Sequence, residues 1–234
     1  TRPARDIGVV MAAVPTHSLV TGANRGIGLE LVKLLRQRGH TVTAVCRNTS
    51  AALNAVGVNV VSGVDVGQKG AEVQLGERCG VELLDWVVVN AGILGYEQLD
   101  QLDFAAIEKQ FQVNALGALR TVYALLPRLH AGSKIALITS RMGSIADNDS
   151  GAYYGYRMSK AALNAAAKSL AIDLKSKGIA VALLHPGFVR TDMTGGHGNV
   201  APPQAAAQLV ERIEQLTLDS SGTFWHANGE VLPW

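Results

Sequence analysis

Short apolar runs alternate with longer helical patterns along this chain, and turn-forming residues separate the two. The apolar runs are rich in valine, isoleucine and leucine, which predicts buried strands. The predicted strands cover residues 18–20, 41–46, 58–61, 86–89, 135–139 and 179–184. Apolar positions three or four residues apart predict helices over residues 27–38, 68–79, 104–130, 156–177 and 203–217.

The alternation of strand and helix predicts the fold class. Strands that are apolar on both faces belong in a parallel sheet, whose two faces are then covered by helices. Right-handed crossovers wind such a chain into a doubly wound α/β sheet of the Rossmann type, with ligands beyond the carboxyl ends of the strands. We expect residues 16–234 to form a single domain. We expect residues 1–15 to be an extension that is either disordered or foreign to the native protein, because Met11 precedes the first strand.

Composition narrows the classes of function. Charged residues make up 17% of the 234 residues and the formal net charge is +2, so we expect no nucleic-acid partner. Cys46 and Cys79 lie far apart in apolar or helical segments, which favours reduced thiols and a cytoplasmic location. The sequence has no HExxH or CxxC pattern and no apolar run long enough to span a membrane. We therefore expect neither a catalytic metal nor a membrane partner.

A glycine-spaced segment, TGANRGIG at residues 21–28, joins the first predicted strand to the first helix. Gly22 permits a tight turn, while Gly26 and Gly28 let the backbone approach a pyrophosphate at the helix amino end. This context predicts a dinucleotide site. A strand-to-helix turn without any ligand would use the same residues, so the segment alone does not decide the matter.

Residues after the second and third strands indicate which dinucleotide binds. No acid follows the second strand, where a carboxylate would hold a ribose 2′-hydroxyl; Arg47 stands there instead. An arginine at that position suits the 2′-phosphate that NADP(H) carries in place of the hydroxyl. Arg25 in the glycine segment is placed to meet the same phosphate, so the two arginines predict NADP(H). Asp65, after the third strand, is a candidate for the adenine amino group, although a turn-forming aspartate would look the same.

Tyr156 and Lys160 stand four residues apart on a predicted helix and therefore share one face. A free tyrosine has a pKa of about 10, and a nearby ammonium lowers that pKa by favouring the phenolate. The pair is a candidate acid/base unit in which Tyr156 donates a proton to a carbonyl oxygen. The alternative is a tyrosine of the core beside a surface lysine.

Six motifs in order carry a family resemblance: TGANRGIG, Asn90-Ala91-Gly92, Asn114, Ser140, Tyr156 with Lys160, and Pro186-Gly187 continuing to Thr191. The chain from residue 18 to residue 234 resembles the short-chain dehydrogenase/reductase family, and its ending resembles the carbonyl-reductase group of that family. The resemblance implies an enzyme that transfers hydride from a nicotinamide cofactor to a carbonyl compound.

The resemblance also implies roles for single residues. Lys160 would bind the nicotinamide ribose, Ser140 would bond the substrate oxygen, and Asn114 would hold a water in a proton relay. Ser144 lies nearer the usual distance from Tyr156 than Ser140 does, and Asn114 has the alternative of a purely structural amide. The implied cofactor-binding residues are Gly22, Asn24, Arg25, Gly26, Ile27, Gly28, Arg47, Asp65, Val66, Asn90, Ala91, Gly92, Tyr156, Lys160, Pro186, Gly187, Val189 and Thr191.

The segment after Thr191 is expected to select the substrate, since Gly195, Gly196 and Gly198 give it freedom to move. Candidate apolar walls are Ile93, Met142, Tyr154 and Met193. The predicted function is NADPH-dependent reduction of an aldehyde, ketone or quinone to the alcohol. The alternative is an NADP(H)-binding signalling or regulatory protein of the C-factor type. The family resemblance implies a homodimer or homotetramer through the two long predicted helices.

Overall fold

A computed structural model describes residues 16–80 and 82–234 of the chain. Seven parallel strands form one sheet in the order β3-β2-β1-β4-β5-β6-β7. The strands are β1 His17–Thr21, β2 Thr41–Val45, β3 Asn59–Val61, β4 Leu84–Val89, β5 Leu129–Ile138, β6 Ala180–His185 and β7 Phe224–His226. The prediction for residues 1–15 lies outside the described residues.

Seven α-helices connect the strands and cover the sheet. They are α1 Gly26–Gln37, α2 Ala51–Asn54, α3 Ala71–Arg78, α4 Phe104–Phe111, α5 Gly117–Leu125, α6 Tyr154–Lys175 and α7 Pro202–Gln215. Helices α1 and α7 pack on one face, and α3, α5 and α6 pack on the other. The doubly wound fold class predicted from the sequence is confirmed. None of the helices in the described ranges has the length and apolar composition needed to cross a lipid bilayer.

The strands are apolar at successive positions because both faces of the sheet are buried. In β1, Leu19 packs into the core under α3, α5 and α6, whereas its neighbour Val20 packs into the core under α1 and α7. Successive side chains of a strand point to opposite faces, and here both residues are fully buried. This explains why the strands read as continuous apolar runs rather than as alternating ones.

The predicted helix over residues 104–130 is wrong as a single element. Helix α4 passes into a π-helical turn, Gln112–Leu116, then into α5, and ends in a 3-10 turn, Leu126–Arg128. Pro127 lacks the N–H that an α-helix needs and occurs in that final turn. The next residue after the turn, Leu129, already pairs with Leu84 as the start of β5.

Two short elements were not predicted from the sequence. The three-residue strand β7 and the four-residue helix α2 are too short to show a hydrophobic period. Strand β7 forms because Leu183 to His185 of β6 pair with Phe224 to His226 at the sheet edge. Tertiary contact, rather than local pattern, therefore decides this strand.

The order of the strands places a crevice beside β1. The chain winds outward from β1 through β2 to β3, then returns to β4 on the other side of β1. In such a sheet the crevice lies beyond the carboxyl ends of the two strands where winding reverses. The segments that follow β1 and β4 therefore meet there, which is where the sequence predicts the glycine segment and Asn90.

Candidate active site

A cleft of about 600 Å³ opens at the carboxyl ends of the strands. It extends from the glycine segment past the ends of β2 and β3 to the residues after β6. Twelve of the predicted cofactor residues line it: Gly22, Asn24, Arg25, Gly26, Ile27, Arg47, Asp65, Val66, Asn90, Ala91, Gly92 and Thr191. The structure thus brings together segments that are up to 170 residues apart in sequence.

Close backbone approach explains two glycines of the loop. A Cβ on Gly28 would lie 2.1 Å from the carbonyl oxygen of Gly22, so no side chain fits there. Gly22 itself has φ +66°, and a Cβ on it would lie 2.9 Å from Cα of Ala91. The loop after β1 therefore packs directly on the residues after β4.

Hydrogen bonds from Asn90 fix the glycine loop in place. Its Nδ2 donates to the carbonyl oxygens of Thr21 and Gly22, each at 3.2 Å. The hydroxyl of Thr21 accepts from the main-chain N–H of Asn90 at 3.1 Å and of Ala91 at 3.2 Å. No role for Thr21 was predicted from the sequence; its position as the last residue of β1, facing the residues after β4, is the signal for one.

The amino end of α1 offers main-chain donors to an anion. Arg25 is the N-cap residue and makes no side-chain cap, and the first N–H to bond within the helix is that of Leu29, to the Arg25 carbonyl. The N–H groups of Gly26, Ile27 and Gly28 consequently have no partner within the helix. The amino end of a helix binds phosphate well, so the glycine loop and the start of α1 fit the pyrophosphate of a dinucleotide.

Three arginines bring positive charge to the cleft. Arg47 lies 3.8 Å from the Asp65 carboxylate, and Arg25 is paired with Asp192 across the cleft at 3.2 Å. Arg190, which was not predicted as a site residue, lines the cleft without an ion pair or side-chain hydrogen bond to any residue in the described ranges. Its place between Val189 and Thr191, just after a strand end, was the available signal. Such a set of cations suits a ligand with several phosphate charges.

Asp65 fits both interpretations made from the sequence. Its Oδ1 accepts from the main-chain N–H of Gly67 at 3.0 Å, which is the turn-forming role. Its Oδ2 is the atom near Arg47, and the residue lines the cleft, which keeps it available to a ligand. The two roles use different oxygens of the same carboxylate.

Tyr156, Lys160 and Ser140 form a cluster beside the cleft. The Lys160 Nζ atom lies 5.8 Å from the centre of the Tyr156 ring and donates to the carbonyl oxygen of Ile138 at 2.9 Å. The side chain of Ser140 lies beside the Tyr156 phenol and favours its ionised form, which lowers its pKa. Ser140 follows β5, and α6 carries the other two residues, so the contact between β5 and α6 builds the cluster.

Burial controls the protonation of this cluster. It raises the pKa of the Tyr156 phenol above its usual value, while the Ser140 side chain acts in the opposite direction. Burial also lowers the pKa of Lys160 to about 8. The expected depression of the tyrosine pKa by Lys160 is therefore not what dominates in this structure, because the ammonium is itself desolvated and is directed to the Ile138 carbonyl.

Asn114 lies in the π-helical turn and is fully buried. Its Oδ1 accepts from the N–H of Ile93 at 2.8 Å, and its Nδ2 donates to the Ile93 carbonyl and to the hydroxyl of Ser159, each at 2.9 Å. The side chain thus ties the segment after β4 to α6. These bonds explain how a poor helix former is tolerated inside a helix.

Gly92 connects the cleft with the cluster of Tyr156, Lys160 and Ser140. It lines the cleft, and a Cβ on it would lie 3.3 Å from Oδ1 of Asn114 and 3.6 Å from Nζ of Lys160. Six predicted cofactor residues do not line the cleft, namely Gly28, Tyr156, Lys160, Pro186, Gly187 and Val189. Gly28 lies beneath the loop, and Val189 is buried and bridges to Val200.

The geometry separates the two candidate serines. Ser144 is buried and its hydroxyl accepts from the main-chain N–H of Asp147 at 3.1 Å, so it stabilises a turn. Residues 145–150, which separate this turn from α6, are all exposed. Of the two serines, Ser140 is the one whose side chain acts on the Tyr156 phenol and lowers its pKa.

Other chemistry-bearing side chains do not form a second centre. Burial lowers the pKa of His185 to about 3, so this residue is neutral, and its ring packs edge-on against His226. Within residues 16–80 and 82–234, no group of three or more histidine, cysteine, aspartate or glutamate side chains is arranged to hold a metal. Cys46 and Cys79 are buried free thiols.

Two curated proteins resemble the chain in sequence. The 1-hydroxy-2-glutathionyl-2-methyl-3-butene dehydrogenase of Rhodococcus sp. (strain AD45) is 42% identical over 223 residues, which cover 92% of this chain and 98% of that protein. The C-signal of Myxococcus xanthus is 42% identical over 154 residues, which cover 64% of this chain and 93% of that protein.

Two solved structures resemble its fold. Carbonyl reductase Sniffer of D. melanogaster has a TM-score of 0.86 at 29% identity, covering 94% of this chain and 100% of that chain. A carbonyl reductase from Pseudomonas aeruginosa PAO1 in complex with NADP has a TM-score of 0.84 at 32% identity with the same coverage. In addition, the family profile described as short chain dehydrogenase matches residues 16–200. Together with the glycine loop and the Tyr156–Lys160 cluster, these matches show that the chain belongs to the short-chain dehydrogenase/reductase family of oxidoreductases.

Proposed function

We propose that this chain is an NADPH-dependent carbonyl reductase that converts an aldehyde, ketone or quinone to the alcohol. The observation that carries the proposal is the junction at Gly92, where the cleft meets the buried groups of Lys160 and Asn114. Beyond that junction, the side chain of Ser140 lies beside the Tyr156 phenol. A proton donor, a hydroxyl donor and a cation thus stand at the end of a cleft that suits a dinucleotide.

The described residues fit NADP(H) on physical grounds. The N–H groups at the start of α1 would hold the pyrophosphate, and Arg47 would hold the 2′-phosphate. The segment from Asn90 to Gly92 would lie against the ribose on the nicotinamide side. NADP in the Pseudomonas carbonyl reductase supports this assignment. When bound, the reduced nicotinamide supplies the hydride.

Each side chain of the cluster has a separate role in the proposed reaction. Tyr156 donates a proton to the substrate oxygen, and its raised pKa keeps the phenol protonated at neutral pH. Ser140 donates a hydrogen bond to the same oxygen as negative charge develops there. Lys160 would bind the nicotinamide ribose, and its ammonium stabilises the phenolate that Tyr156 becomes when it gives up its proton.

The test is Tyr156→Phe, which removes one oxygen and leaves the ring. NADPH oxidation is followed with a panel of aldehydes, ketones and quinones, and NADH is run in parallel. The reverse reaction is assayed with NADP⁺ and alcohols, including a glutathionyl alcohol of the kind named for the Rhodococcus protein. We expect kcat to fall by at least about 100-fold while the Kd of NADPH, measured by fluorescence, changes less than about threefold. Near-normal turnover by the variant would refute the role of Tyr156.

The C-signal match favours a second candidate function, that of an NADP(H)-binding signalling protein with little catalysis. The two candidates differ in what Tyr156→Phe removes. A signalling protein would capture the same protein partner with or without the phenol, and the wild type would reduce none of the carbonyl compounds. A reductase would lose its activity with the phenol.

We further propose that residues 16–234 act as one catalytic unit and that copies of it associate through α4, α5 and α6. These helices expose large apolar side chains, including Phe104, Tyr123 and Ile172. Burial of such surface favours association. Light scattering on the purified chain distinguishes a dimer or tetramer from a monomer, and a monomer at micromolar concentration would contradict the proposal.

A further inference from the structure

Two consecutive residues before α6 adopt a backbone conformation that side chains disfavour. Ala152 has φ +54° and Tyr153 has φ +53°, and every other positive φ in residues 16–80 and 82–234 belongs to a glycine. Left-handed backbone brings Cβ against a carbonyl oxygen and costs free energy at each residue. Such strain persists only where the surrounding structure holds it, and it is enriched at functional sites.

Glu97 is hydrogen-bonded to the strained segment before α6. Its main-chain carbonyl accepts from the N–H of Tyr153 at 2.8 Å, and its Oε2 accepts from the N–H of Gly155 at 3.3 Å. Its Oε1 accepts from Nε2 of Gln110 on α4. Only 5% of Glu97 is exposed, and its hydrogen bonds fix the turn that leads into α6, the helix of Tyr156.

The strained turn places two aromatic rings together. The Tyr153 ring packs edge-on against Tyr96, with ring centres 5.7 Å apart and planes at 60°. The Tyr96 hydroxyl donates to the carbonyl oxygen of Met193 at 2.8 Å, and Met193 lines the cleft. Tyr153 is the N-cap residue of α6, the helix that carries Tyr156. The ring pair therefore reaches the segment after β6 through Tyr96 and the start of the helix that carries Tyr156 through Tyr153.

The pair keeps apolar ring surface uncovered. Tyr96 is 59% exposed, and Tyr153 is partly exposed although the backbone is strained to place it. The Tyr96 hydroxyl is already bonded, so its ring face rather than its polar end is offered to a ligand. Aromatic faces bind other flat π systems more favourably than saturated groups of the same size.

We propose that Tyr96 and Tyr153 form an aromatic wall that selects flat, conjugated carbonyl compounds over saturated ones. The inference rests on the proposed function, because it assigns the substrate class of the same site. It also places the selecting residues at Tyr96 and Tyr153 in addition to the segment after Thr191.

The experiment compares two ketones that differ in ring character alone. Acetophenone and cyclohexyl methyl ketone are titrated by NMR into the wild-type protein loaded with NADP⁺, in which no reduction can occur. We expect acetophenone to bind about fivefold more tightly. In Tyr153→Leu and Tyr96→Leu, which keep apolar volume, this ratio falls to near one. Tyr153→Phe, the matched control, keeps the ratio within about twofold of the wild type.

Equal or undetectable binding of the two ketones to the wild-type complex overturns the inference, as does an unchanged ratio in both leucine variants. NADPH binding by each variant reports whether it folds, and either leucine variant suffices if the other does not fold. Turnover is measured separately with both ketones. A binding ratio that behaves as expected without any turnover refutes the proposed reductase but not the wall, whereas turnover with an unchanged ratio refutes the wall but not the reductase.

Discussion

The side chain of Ser140 lies beside the phenol of Tyr156 and lowers its pKa against the raising effect of burial, which brings the end of β5 to the start of α6. Ser144 lies four residues further on, is also buried, and bonds to the turn at Asp147 instead. The two serines therefore form a matched pair in which one lies beside Tyr156 and the other stabilises a turn.

Ser140→Ala is expected to lower kcat by about 100-fold, because the substrate oxygen loses one hydrogen-bond donor as charge develops on it. Ser144→Ala is expected to keep kcat within about threefold. Steady-state kinetics at saturating NADPH check both variants. A larger loss in Ser144→Ala than in Ser140→Ala would move the catalytic role to Ser144.

Gly28→Ala is expected to destabilise the protein by about 3 kcal/mol and to weaken NADPH binding, because the new Cβ would overlap the Gly22 carbonyl oxygen. Gly76→Ala is the control. Gly76 lies in α3, and a methyl group there would meet open space, so alanine should stabilise by about 0.5–1 kcal/mol. Urea unfolding measures both, and a stable Gly28→Ala protein that binds NADPH normally would contradict the prediction.

Arg47→Ala is expected to raise the KM of NADPH by about tenfold or more and to leave the KM of NADH within about threefold. The reason is that a charge-assisted hydrogen bond to the 2′-phosphate is lost, and NADH has no such phosphate. Arg36→Ala, at an exposed position of α1, is the control and should change neither value. Parallel changes for the two cofactors would place the 2′-phosphate elsewhere.

Lys160→Met is expected to stabilise the cofactor-free protein at pH 7. The pKa of Lys160 is lowered from about 10.5 to about 8, so burying its charge costs about 3 kcal/mol at pH 7. Removing Lys160 relieves that cost but leaves the buried Ile138 carbonyl without its hydrogen-bond donor, which costs about 1–2 kcal/mol. The net expectation is a gain of about 1–2 kcal/mol in the free energy of unfolding.

The pH dependence of that gain has a definite sign. Between pH 8 and 10.5 the unfolded chain binds the Lys160 proton and the folded chain does not, so wild-type stability rises with pH through this interval. The advantage of Lys160→Met should therefore disappear by about pH 10.5. Urea unfolding at pH 7 and pH 10.5 measures it, with Lys175→Met, exposed on the same helix, as the control. A difference that does not vary with pH would contradict the lowered pKa.

Much of the framework follows from local pattern. Strands such as β1 and β2 were predicted to within about one residue, because buried parallel strands are continuous apolar runs between turns. The glycine segment and the Tyr156–Lys160 spacing were readable because backbone approach and helix periodicity leave signs in sequence. The end of the 104–130 prediction failed where Pro127 and the pairing of Leu129 overrode the helical period.

Contacts between distant segments could not be predicted. Nothing local in sequence says that Arg25 meets Asp192, or that Thr21 receives the N–H groups after β4. The positive φ angles of Ala152 and Tyr153 run against residue preference and depend on Glu97, more than 50 residues earlier. Burial likewise reversed the expected direction of the Tyr156 pKa, because desolvation is a property of the packed fold.

The π-helical turn over Gln112–Leu116 has a consequence for insertions and deletions. A π-helical turn accommodates one residue more than a regular α-helical turn, at the expense of poorer bonding geometry. Deleting one residue within the turn would restore regular winding and change the direction in which the remaining residues of the turn point. The amide of Asn114 would then point away from Ile93, so chain length in this helix is as strictly constrained as the identity of the residue it carries.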